Sequence, residues 1–77
     1  MTINVEIAQY VREAAKYGNK IAMFHFQILK NASRLEDVDP IEFCRSIGVP
    51  ESYATEFRKM ISLARIIQEQ GYQLENK

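Results

Sequence analysis

The sequence predicts a small all-α domain of four helices, and three observations predict it. Apolar residues recur at spacings of three and four through most of the chain, the repeat of one helical face. No segment alternates with period two and no Asn-Gly or Asp-Gly pair marks a hairpin, so strands have no signal. Glycine and proline fall where such helices must stop or start, at Gly18, Pro40, Gly48, Pro50 and Gly71.

In the first helix Ile3, Ile7, Tyr10, Val11, Ala14 and Tyr17 share a face, and Gly18 ends it with a left-handed residue. Asn19 suits the N-cap of a second helix, in which Ile21, Ala22, Met23, Phe24, Phe26, Ile28, Leu29 and Ala32 leave little polar surface. Such a helix belongs at the centre, buried on several sides. The third start is the best marked. Asp39-Pro40-Ile41-Glu42 offers a capping acid, a proline at the first helical position and a glutamate three residues after the cap. This short helix carries Ile41, Phe43, Cys44 and Ile47 and stops at Gly48, after which Val49-Pro50 redirects the chain. The fourth helix starts between Pro50 and Ser52 and runs to about Gln70, with Ala54, Phe57, Met60, Ile61, Leu63, Ala64, Ile66 and Ile67 as its apolar residues. The tail, 72–77, is expected to be flexible.

With 47% apolar and 26% charged residues in 77, the chain has the composition of one folded domain, 1–77, near the lower size limit for independent folding. A single cysteine, Cys44, excludes an internal disulfide, so stability must come from packing or from a partner subunit. The first residues lack the basic stretch and long apolar run of a signal peptide, and no run approaches the roughly 18 residues of a membrane span. A cytoplasmic protein without membrane association is expected. Ten Lys and Arg balance ten Asp and Glu, so the chain has no general attraction for nucleic acid or anionic lipid. The charge is unevenly spread. Arg12, Lys16, Lys20, Lys30 and Arg34 face only Glu6 and Glu13 in residues 1–35, whereas six acids face Arg45 alone in residues 36–56.

Residues 41–60 resemble the helix-turn-helix unit of many bacterial DNA-binding regulators. In that unit a small residue lies four before a turn glycine, because the helices cross closely and the turn needs positive φ. Cys44 and Gly48 have that spacing, and Val49, Ala54 and Phe57 occupy the apolar positions that follow. The resemblance implies a recognition helix from about Glu51, whose side chains Ser52, Tyr53, Thr55, Glu56, Arg58 and Lys59 face the major groove. Within that set Arg58 and Lys59 suit guanine edges or phosphates, and Ser52 and Thr55 suit phosphates. Ser52, Tyr53, Thr55, Arg58 and Lys59 are the DNA-binding candidates, whereas Glu51 and Glu56 on the same helix would repel phosphate. A weaker copy of the spacing occurs at Ala14 and Gly18. Its following segment offers Lys20, His25, Gln27, Lys30, Asn31 and Arg34, but Asn19 and Gln27 stand where the unit wants apolar residues.

Catalysis finds no support among the reactive residue types. His25 is the sole histidine and Cys44 the sole cysteine, so no zinc-ligand spacing exists, and no glycine loop could cradle a phosphate. A free cysteine on an apolar stripe reads as a small core residue, and Asp39 and Glu42 are already explained by capping. No cofactor or metal is expected. On the fourth helix Leu63 and Ile66 fall away from the line through Phe57, Ile61 and Ala64, which suggests a second apolar face for a homodimer or another protein. Two functions remain open: a transcriptional regulator binding duplex DNA through residues 41–60, as the resemblance implies, or a protein-interaction module, adaptor or inhibitor, without DNA binding.

Overall fold

The computed structural model describes residues 3–71, all-α and free of strands within that range. Its helices are α1 (Ile3–Ala15), α2 (Lys20–Lys30), α3 (Ala32–Leu35), α4 (Pro40–Ile47) and α5 (Tyr53–Glu69). The four expected helices are present. α3 is an additional single turn, split from α2 at Asn31, whose backbone N–H reaches back to the Gln27 carbonyl. The Asn31 side chain bonds the same carbonyl at 2.9 Å, and this local competition for the helix ladder marks the break. The tail predicted to be flexible lies outside the described residues.

The helices form two hairpins that face each other. α1 turns into α2, α4 turns into α5, and across the gap α1 packs on α4 while α2 packs on α5; α3 rests on α2 and α5. Both hairpin turns are built alike. Gly18 and Gly48 have φ of +76° and +81°, and in each turn the residue after the glycine donates its N–H to the carbonyl five residues back, Asn19 to Ala14 and Val49 to Cys44, both at 3.0–3.1 Å. The two turns are thirty residues apart in sequence and share one local solution to ending a helix.

The caps are less uniform. Asp39 accepts from the N–H groups of Ile41 at 2.9 Å and Glu42 at 3.4 Å, as its position predicts. Asn19 and Ser52, by contrast, make no side-chain cap bonds. At Asn19 the backbone does the work: its N–H belongs to the Gly18 turn and its carbonyl takes the Met23 N–H.

Between the hairpins lies one apolar cluster in which Ile7, Phe24, Ile28, Leu35, Phe43, Cys44 and Phe57 are almost fully buried. Phe43 of α4 and Phe57 of α5 meet at 5.1 Å between ring centres, and Phe24 of α2 meets Tyr53 of α5 edge-on at the same distance. Central placement of the second helix is confirmed by its packing on α1, α3 and α5. It is not buried all round, because Ile21, Ala22 and Phe26 are exposed. No described helix is long and apolar enough to cross a membrane.

Candidate functional site

Every packing position that carried the helix-turn-helix resemblance is buried: Cys44, Val49, Ala54 and Phe57 all join the core. Gly48, at φ +81°, lets α5 leave α4 closely enough for Phe43 and Phe57 to touch. The unit therefore has the geometry that its spacing predicts.

The outer face of α5 is set by what its inner face buries. Ala54, Phe57, Ile61 and Ala64 point inward. At 3.6 residues per turn, Thr55, Lys59, Ser62 and Ile66 then run along the opposite side, with Arg58 and Leu63 on its flanks. These six residues line a shallow, open recess along the helix. Its first half is polar and basic, and its second half is apolar: Leu63 is 40% and Ile66 53% exposed.

Of the candidates from sequence, Ser52, Thr55, Arg58 and Lys59 are exposed. Tyr53 is a correction, because its ring is half-buried on the core against Phe24, with the Lys20 ammonium 5.5 Å from the ring centre. It sits one residue before Ala54, close enough to the buried line for an aromatic ring to fold inward. Ser52 spends no bond on capping, so its hydroxyl stays outside.

The two acids expected to repel phosphate are both engaged. Glu51 accepts from Arg45 Nε at 2.8 Å across the turn between α4 and α5. Both groups are well exposed, so solvent screens the pair and it adds little to stability. Glu56 is held on both oxygens. His25 Nε2–H of α2 donates to Oε1 at 2.8 Å, and Lys59 Nζ–H donates to Oε2 at 3.4 Å. The His25 bond, then the Lys59 charge, hold the Glu56 carboxyl below the usual range, against an opposing effect of desolvation. Lys59 is thus shared, while Arg58 makes no ion pair among the described residues. No spacing rule signals the contact between His25 and Glu56, thirty-one residues apart, although the α2–α5 packing makes it natural.

The weaker unit at Ala14–Gly18 spends part of its polar set on contacts within the fold, while Arg34 is exposed. Gln27 is buried, with its amide donating to Met23 Sδ at 3.5 Å; Lys20 covers Tyr53 and Lys30 lies over Phe26. Gln27 fills the place that Phe57 fills thirty residues later and is buried like it. Cys44 is buried, and burial, followed by the nearby Glu51 charge, pushes its thiol pKa up, the opposite of an activated nucleophile. Among the described residues no group of three His, Cys, Asp or Glu side chains is arranged to hold a metal ion.

A family model described as an HTH-like domain matches residues 3–70, so the match takes in both hairpins and not only the segment 41–60. No curated protein and no solved structure matches the chain.

Proposed function

Since this chain belongs to the HTH-like domain family, we propose that it is a small transcriptional regulator that acts by binding duplex DNA, not by catalysis, with α5 as its reading helix. Ser52, Thr55, Arg58 and Lys59 carry the contacts, Arg58 and Lys59 to phosphates or guanine edges and the two hydroxyls to phosphates. The observation that carries this reading is the disposal of the acids. Glu51 is occupied by Arg45 and Glu56 by His25, which leaves Arg58 unpaired among the described residues on the outer face of the helix. The expected compartment is the cytoplasm, which suits the free thiol of Cys44.

The apolar half of the same face supports a homodimer. An antiparallel pairing of two α5 helices centred between Leu63 and Ile66 buries both residues against their counterparts. The second reading, a protein-interaction module, is favoured by Leu63 and Ile66 themselves and by Glu36, Asp37 and Glu42, which are exposed and make no ion pair among the described residues.

Titration against random-sequence duplex at low ionic strength tests the choice. DNA binding by the wild type, weakened in the Arg58→Ala/Lys59→Ala double variant with a salt slope flattened by up to about one unit per lost contact, supports the DNA reading. No complex at tens of micromolar protein overturns it in favour of the interaction module.

A further inference from the structure

Glu56 lies between two cations of different kinds. Lys59, on the same helix, is permanently charged at neutral pH and sits on the DNA-facing side; His25 comes from α2 behind it and is charged only when its second ring nitrogen takes a proton. A carboxylate can only accept, so Nε2 carries its hydrogen in either state and Nδ1 is where the extra proton goes. The hydrogen bond at 2.8 Å therefore persists, and what changes on protonation is the charge behind Glu56.

This matters for Lys59. Lys59 Nζ carries three hydrogens, one of them directed at Glu56 Oε2 at 3.4 Å, so an incoming phosphate shares the ammonium charge with that carboxylate. With a neutral imidazole, Lys59 alone balances Glu56 beside the phosphate. With an imidazolium, Glu56 is balanced from within the protein and the charge of Lys59 is left for the phosphate.

We propose that His25 is a positioning residue of the α5 surface: in its protonated form it holds Glu56 and frees Lys59 for a backbone phosphate, so that DNA binding takes up a proton. The proposal rests on the DNA reading above. The hydrogen bonds and ion pairs of His25 among the described residues go to Glu56 alone. Among the described residues the ion-paired groups of this network on α5 are Glu56 and Lys59, and no ion pair joins it from α1 or α3, which also pack on α2. His25 is the chain's only histidine.

The test is the affinity of the full chain for a random-sequence duplex at fixed low salt, measured at pH 6 and pH 8 for the wild type, His25→Gln and Glu56→Gln, with folding checked by circular dichroism. The wild type is expected to bind several-fold more tightly at pH 6 than at pH 8. Calorimetry in buffers of different ionisation enthalpy should record the matching proton uptake. His25→Gln should equal the wild type at pH 8 and lose the gain at pH 6. Glu56→Gln should bind tightly at both, because no carboxylate is left to hold. A merely structural His25 would lower affinity or stability without changing the pH profile. Equal wild-type binding at both pH values, or a gain retained in His25→Gln, overturns the positioning role and leaves the DNA reading standing. Absence of binding by every protein at either pH overturns both.

Discussion

Replacing Gly48 by alanine isolates the cost of the turn on which the α4–α5 geometry depends. A Cβ added at Gly48 meets nothing within 4 Å, so the substitution creates no clash. What remains is conformational. The residue has φ +81° and ψ 26°, and an L-residue held in the left-handed region costs about 1–2 kcal/mol. Alanine also narrows the unfolded ensemble, which offsets part of this by about 0.4–1 kcal/mol, so the net loss should be near 1 kcal/mol. For a domain of this size that lowers Tm by about 4–8 °C. Valine, β-branched and a steric outlier at positive φ, should cost more. Gly18→Ala is an internal control, with φ +76° and equally open surroundings, and it should lose a similar amount. Thermal unfolding followed by circular dichroism reads all three. A Gly48→Ala protein melting with the wild type would refute the left-handed turn and the helix crossing built on it.

Leu63→Glu or Ile66→Glu should convert a wild-type dimer to monomer in sedimentation, since the dimer would bury a carboxylate without a partner; a wild type that is monomeric at high concentration removes the dimer. The lowered Glu56 pKa means the folded state binds fewer protons than the unfolded one, so this network stabilises the fold above the ordinary carboxyl range. That contribution is lost as pH falls through the lowered value. Urea unfolding between neutral pH and about pH 3 should therefore show a shallower acid loss for Glu56→Gln than for the wild type; identical profiles would mean the carboxylate is unengaged in solution. Cys44, buried with a raised pKa, should react with a thiol reagent only at the rate of unfolding, and rapid labelling of the native protein would contradict its place in the core.

The elements were legible because their signals are local. Asp39-Pro40 starts a helix through a side chain two residues from the N–H it binds, and Gly18 and Gly48 end helices through a backbone conformation that other residues resist. Leu63 and Ile66 could be placed outside the core by counting along one helix, and they lie there. The site was legible only in outline. Tyr53 looked outward from its position, but a large ring one residue from the buried line found Phe24 on α2, a neighbour no spacing reveals. The charge balance misled for the same reason. Glu51 and Glu56 count as negative in any sum along the chain, and only the packing of α4 and α2 against α5 brings Arg45 and His25 to them. The break at Asn31 depends on a side chain competing with its own helix, for which the preceding apolar run gives no warning.

The facing arrangement of the hairpins also bears on how the molecule moves. Each hairpin is local in sequence and can form quickly, which favours folding on the microsecond to millisecond scale. Neither covers its own apolar side: Phe24 on one meets Tyr53 on the other, and Ile28, Phe43 and Phe57 belong to the same cluster. Lifting α5 away would open the whole cluster, so amide exchange in its inner turns should require global opening and not a partial excursion. A helix held in this way is a stiff template. If α5 reads DNA as proposed, fit at a site is reached by the duplex yielding to the protein, so that discrimination among sequences would include how easily each one bends or changes groove width.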